Sequence, residues 1–407
     1  MLHFIHEKLE APEEVQRALK AIRGHLGMEV AYLSEFRGNQ TTFRVVDAPG
    51  LSDLIKPGDV HSLDDVYCRH ILEGRLPELM TATGDYALAR SLPITAAVPI
   101  GAHISVPVRA PDGSSIGMFC CLSRQPNHSL NLRDLQVMRV FADLAGTQIA
   151  NGIAVQQQQA DAEQRVRAVL AGQGLDIVYQ PIWNLHERTV RGFEALSRFA
   201  TETYRTPDKW FAEAFTVGLG PDLELAAIEK ALASLRRLPE TVYVSVNASP
   251  DTVVCGELTK LFQSLSLDFR RVMLEITEHA SVSDYQAFDE MLRPLRKAGM
   301  RLAIDDAGAG FSSLQHILQL KPDKIKLDIS LTRSIDTDAA RRALASALVF
   351  FAEETGCKIV AEGIETEAEL ATLRLLGVPY GQGYGLGRPM DIEAALTLLR
   401  IKHGQAA

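Results

Sequence analysis

At 407 residues the chain is long enough for two or three domains, or for one barrel of about 250 residues with a companion. It is 46% hydrophobic and 23% charged, an ordinary globular balance that leaves no room for a disordered or fibrous chain. The net charge of -9 argues against a general nucleic-acid binder, and no uninterrupted apolar run reaches the ~18 residues of a membrane span. Cys68, Cys120, Cys121, Cys255 and Cys357 are odd in number and contain no C-x-x-C pair, so they read as reduced, mostly buried thiols. The start, MLHFIHEKLEAPEE, has neither a basic n-region nor a long apolar h-region, which predicts a cytoplasmic protein.

Residues 1–150 mix helix and strand. EEVQRALKAIRGHLG places Val15, Leu19, Ile22 and Leu26 on one helical face. EVAYLSEF, TTFRVVDA, AHISVPVRA and SSIGMFCCLS read as strands, and PDG at 111–113 turns the last two into a hairpin. An antiparallel sheet with a helix at either end is an α+β domain. From Asn131 the spacing becomes helical. Leu135, Met138, Ala142, Ala145 and Ile149 alternate steps of three and four, which fits a coiled-coil-like seam and a dimer helix. Residues 151–170 continue it as a polar connecting helix.

From about Leu175 the pattern changes again. DIVYQP, TVRGFEAL, TVYVSVN, RVMLEIT, RLAIDD, DKIKLD, KIVAEG and PYGQGYG read as eight strands, most of them separated by amphipathic helices. This predicts a (β/α)₈ barrel. WNLHER joins the first two strands as a hairpin, so the barrel starts irregularly, with one antiparallel strand.

Each apolar run ends on a polar group: Glu194, Asn247, Glu275, Asp305 with Asp306, Lys326 with Asp328, Glu362 and Gln382. In a barrel these strand ends converge on one face, where active sites form. Oxygen donors without histidine or a cysteine pair suit hard divalent cations such as Mg²⁺ or Mn²⁺ rather than zinc. Converging carboxylates raise one another's pKa unless cations separate them. Two cations together support in-line cleavage of phosphate esters.

YQPI (179–182), FEALSRF (193–199), VSVNASP (244–250), LEITE (274–278), IDDAGAGFSSL (304–314), KIKLD (324–328), VAEGIET (360–366) and QGYGLGRP (382–389) resemble the EAL family of cyclic di-GMP phosphodiesterases. The resemblance implies a modified TIM barrel over residues 171–402 and metal-dependent opening of cyclic di-GMP to linear pGpG. It implies that Glu194, Asn247, Glu275 and Asp305 hold one Mg²⁺ or Mn²⁺, and that Asp306 and Glu362, with Asp305 bridging, hold a second. Lys326, Glu362 and Asp305 then carry the catalytic step, with Lys326 favouring deprotonation of the attacking water. Gln180, Arg198, Gln382 and Asp328 fall at substrate-binding positions, and Glu278 at one that tethers the loop after Asp306. The family commonly has an aromatic where this chain has Ala307, and Tyr where it has Phe311; the catalytically silent cyclic di-GMP receptor is the alternative this raises.

VYCRHILEGRLPELM and ITAAVPIGAHISVPVRAPDGSSIGMFCCLS resemble a GAF sensor domain, here over residues 1–150. Bilin-binding members attach the chromophore at a Cys followed by His, whereas Cys68 precedes Arg69. The GAF ligand is not readable from the residues, and Cys68 with His70 reads as a half-buried thiol beside a surface histidine. The resemblance and the helix seam together imply a cytoplasmic homodimer that binds cyclic di-GMP, with no nucleic-acid polymer and no membrane among its partners.

Overall fold

Burial on both faces shapes the first sheet. Its strands are β1 (Val30–Arg37), β2 (Gln40–Asp47), β3 (Val60–Ser62), β4 (Leu79–Met80), β5 (Ala102–Arg109) and β6 (Ser115–Ser123). The structure is a computed structural model and describes residues 13–200, 205–265, 267–277, 284–307 and 317–404. The chain divides into two compact units, Met1–Gln158 and Gln159–Ala407.

In the first unit the strands run in the order β3-β2-β1-β6-β5-β4, all antiparallel. Successive side chains alternate between faces. Tyr32, Cys120 and Leu122 pack on one side with Phe43, Tyr67 and Met80. Ala31, Phe119 and Cys121 pack on the other with Leu19, Ile22 and Met138. The helix Glu13–His25 buries Val15, Leu19, Ile22 and Leu26, as the spacing predicts. The hairpin at 111–113 forms, with Ala110 N–H donating to Ser114 O at 2.9 Å. β3 and β4 were not foreseen, because strands of three and two residues are too short to show alternation.

One helix spans Leu132–Leu170. Leu135, Met138 and Ala142 belong to the core of the first unit, and Ile149 packs against it. This corrects the coiled-coil reading: those seam residues close on the chain's own sheet. A helix lying on a sheet needs the same three-and-four spacing as a coiled coil, so the pattern alone does not say which partner it meets. Among the described residues, the large apolar side chains that this helix exposes include Leu132, Val140, Leu144 and Val155. His70 is a second correction: it is buried, with Nε2 3.3 Å from Asp64 O.

The second unit is a closed barrel of β7 (Leu175–Asn184), β8 (Thr189–Phe199), β9 (Tyr243–Asn247), β10 (Val272–Thr277), β11 (Arg301–Ala307), β12 (Lys324–Leu327), β13 (Lys358–Ala361) and β14 (Tyr380–Gly381). β7 runs antiparallel to both neighbours, β8 and β14, and every other pair is parallel. The eight predicted strands and the irregular start are both found. Val244, Val246, Leu274, Ile276, Leu302 and Ile304 face outward into the main core under the helices. Ile182, Tyr243, Met273, Ala303 and Val360 fill the interior. No helix among the described residues is long and apolar enough to cross a membrane.

Candidate active site

The same alternation carries polar side chains inward at one end of the barrel. Lys326, two residues along β12 from Lys324, is 1% exposed. Its Nζ lies 2.7 Å from Glu275 Oε2, 2.7 Å from Glu362 Oε1, 3.0 Å from Asp305 Oδ1 and 3.5 Å from Glu194 Oε1. Four carboxylates from distant stretches thus meet on one ammonium.

Neutral donors brace them. Gln382 Nε2 donates to Glu194 Oε2 at 2.6 Å and to Glu362 Oε1 at 2.9 Å. Asn247 Nδ2 donates to Glu194 Oε1 at 3.3 Å. The Ser245 hydroxyl donates to Glu275 Oε1. Gln382 Oε1 is buried and accepts no hydrogen bond.

Asp305 and Asp306 work as neighbours because the strand breaks its register there. The β11–β12 pairing shifts between Ile304 and Ala307, and Asp306 takes φ +59°. A bulge cancels the strict alternation that would send adjacent side chains to opposite faces. Aspartate tolerates the left-handed conformation better than most residues. As a result Asp305, Asp306 and Glu362 each offer an oxygen within 4.8 Å of the others, as do Glu194, Glu275 and Asp305. Asp305 belongs to both groups.

The electrostatics fit a cation. Burial raises the Glu275 carboxyl to about 8, against the pull of Lys326 and with help from Glu194 and Asp305. Burial likewise raises Glu362 well above the usual carboxylate range. Burial opposes the charge on Lys326, but Asp305, Glu194, Glu275 and Glu362 overcome it and hold its pKa well above the ordinary lysine value. One ammonium is therefore too little positive charge for five clustered carboxylates. The donor sets are oxygen only, the buried Gln382 Oε1 has no donor, and hard divalent cations fit both groups.

Other predicted residues fall elsewhere. Gln180 is buried, and its Nε2 donates to Gly387 O at 3.3 Å. Arg198 is exposed and lines, with Asn247, Asp208 and Phe211, a cavity of about 340 Å³. Asp328 caps the short helix Ile329–Thr332 by accepting from Ser330 N–H at 2.8 Å. Glu278 and the loop 308–316, with Phe311, lie outside the described residues.

Two participants escape the polar-end reading, which looked only at where apolar runs stop. Ser245 lies two residues before Asn247, so strand alternation puts both on one face. Lys324 lies two before Lys326 and is also buried, with Nζ 2.5 Å from Tyr243 Oη and over the Tyr243 and Tyr380 rings at 4.2 and 4.3 Å. Burial, and secondly Arg301, bring its pKa down to about 7. Period-two reading of V-S-V-N and K-I-K would have found both.

Residues 162–389 match the EAL domain family. The chain belongs to the EAL family. Residues 10–149 match the GAF domain family. The EAL chain is 30% identical over 260 residues to the cyclic di-GMP phosphodiesterase NbdA of Pseudomonas aeruginosa, covering 61% of this chain and 33% of NbdA. It is 30% identical over 243 residues to the cyclic di-GMP phosphodiesterase PA2567 of the same organism, covering 58% of this chain and 41% of that protein. It therefore spans well under half the length of these curated relatives. Among solved structures, the PaMucR phosphodiesterase in its c-di-GMP complex aligns with a TM-score of 0.53 and 28% identity, over 58% of this chain and 99% of that one.

Proposed function

We propose that this EAL chain hydrolyses cyclic di-GMP to linear pGpG with two divalent cations, Mg²⁺ or Mn²⁺. The observation that carries this is the convergence of Glu194, Glu275, Asp305 and Glu362 on the buried Lys326, with Asp306 brought alongside by the bulge. Glu194, Asn247, Glu275 and Asp305 would hold one cation, and Asp305, Asp306 and Glu362 the other. When bound, such ions supply Lewis-acid polarisation of the phosphate and lower the pKa of water.

The chain's own residues do the rest. The surrounding Asp305, Glu194, Glu275 and Glu362 favour the charged form of Lys326, whose ammonium would act as a hydrogen-bond donor to the attacking oxygen. Gln382 and Asn247 fix the Glu194 carboxylate, and Ser245 fixes Glu275. Arg198, exposed and lining a cavity with Asn247, would meet a phosphate with its paired donor set. Asp328 acts through its helix cap. We also infer that the GAF unit regulates the barrel, that residues 1–150, 151–170 and 171–402 are the functional divisions, and that the protein works in the cytoplasm as a homodimer. On the helix Leu132–Leu170 the exposed Leu132, Val140, Leu144 and Val155 would be open to a second copy.

The test is hydrolysis of cyclic di-GMP by the purified chain with Mg²⁺, Mn²⁺ or EDTA, resolved by chromatography. Metal-dependent pGpG is expected, and Glu194→Ala and Asp305→Ala should each abolish it while circular dichroism stays native. Tight nucleotide binding without product would instead identify a silent receptor.

A further inference from the structure

The segment that follows Gln382 along the barrel rim is wedged in place. A Cβ on Gly383 would lie 2.2 Å from the Ile364 backbone, one on Gly385 2.6 Å from the Glu365 carbonyl oxygen, and one on Gly387 2.5 Å from Pro181 Cγ. Only glycine allows approach this close on three successive alternate residues. Leu386 is half-buried, whereas Tyr384 is 56% exposed.

Tyr384 is not an isolated surface aromatic. The Arg388 guanidinium lies over its ring, 5.0 Å from the centroid. Glu365, on the neighbouring loop, is ion-paired to Arg333 and also feels the charge of Arg388. The segment is also held at both ends, at its start by the site. Gln382 donates to Glu194 and Glu362, and the Gly387 carbonyl accepts from Gln180. An aromatic ring held on a rigid backbone beside an ester-cleaving site, with a cation behind it, has the parts of a base-stacking platform. The acidic cluster below it would repel a dianionic nucleotide, so a rim arginine also favours approach.

We propose that the open face of Tyr384 stacks on one purine base of the bound cyclic dinucleotide, while Arg388 holds the ring from its other face. This rests on reading the barrel as a cyclic di-GMP hydrolase, and it adds how the base, as distinct from the phosphate, is gripped. Tyr384 thereby acts on binding and not on the bond that breaks.

The experiment compares the full-length wild type, Tyr384→Ala and Tyr384→Phe in Mg²⁺, using cyclic di-GMP and the base-free diester bis(p-nitrophenyl) phosphate. Loss of one base stack should raise KM for cyclic di-GMP about ten-fold in Tyr384→Ala and leave kcat nearly unaltered. The ratio of kcat/KM for cyclic di-GMP to that for the base-free diester should fall by the same factor. Tyr384→Phe, which keeps the ring, should restore both. An unchanged ratio in Tyr384→Ala, or a loss confined to kcat, would overturn the stacking role while leaving the hydrolase reading intact. A wild type that cleaves the base-free diester but not cyclic di-GMP would remove the hydrolase reading, and the stacking proposal with it.

Discussion

His103 in the first unit and Lys326 in the barrel are each 1% exposed, yet burial leaves one neutral and the other charged. His103 faces the edge of the Tyr67 ring at 4.9 Å and apolar neighbours such as Ile100 and Leu122, and its Nδ1 has no partner. With nothing to offset desolvation, its pKa falls to about 3. Lys326 suffers the same desolvation but is ringed by four carboxylates, and its charge persists. Burial sets the size of the electrostatic penalty, and the neighbours decide its sign. A neutral imidazole suits the apolar core of the first unit, while a retained ammonium suits a centre that gathers anionic groups.

The comparison breaks most visibly at Lys326. Lys326→Met removes the ammonium on which Glu194, Glu275, Asp305 and Glu362 converge. Turnover should fall by at least about 10³-fold, as when a key electrostatic donor is lost. In EDTA the variant should also lose ~3–5 kcal/mol of stability by urea denaturation, because the carboxylates stay buried without their partner. Activity within ten-fold of wild type would show that Lys326 is structural only.

His103 gives a smaller effect with a defined sign. Its folded-state pKa of about 3 lies below its ordinary value of 6.5, so between these pH values the unfolded chain binds a proton that the native chain refuses. Stability from this group is fully present above pH 6.5 and is lost as pH falls toward 3. The slope approaches ~1.4 kcal/mol per pH unit. Urea denaturation from pH 7.5 down to pH 5 should therefore show a steeper decline in wild type than in His103→Leu. Parallel declines would mean that the imidazole is protonated in the native protein.

The smallest effect sharpens the barrel side. Ser245→Ala removes one donor from Glu275 and should cost ~1–2 kcal/mol in stability, with a loss of activity well below that of Lys326→Met. Equal losses in the two variants would show that the brace and the ammonium act as one unit.

Much of this was legible before any coordinates. The eight strands, the hairpin at the barrel's start and the polar residues at their ends follow from periodicity, because strand alternation and short turns are local properties. The ordered motifs carry the resemblance to the EAL family, and several of them place a polar side chain near the end of a strand, as with Asn247 and Lys326. The amphipathic helix Glu13–His25 was equally plain. The two-residue and three-residue strands were not, since they are made by their partners and not by their own sequence.

What only the tertiary structure decided depends on contacts between distant residues. That Glu194, Glu275, Asp305 and Glu362 share one ammonium is a consequence of barrel closure. That Asp305 and Asp306 serve together required a bulge, which is set by pairing with β12 and not by the aspartates alone. The helix seam closed on the chain's own sheet, a choice that its spacing leaves open because a sheet face and a second helix ask for the same pattern. The sequence by itself determined which side chains stand at the strand ends; closure and register, both non-local, decided which of them meet.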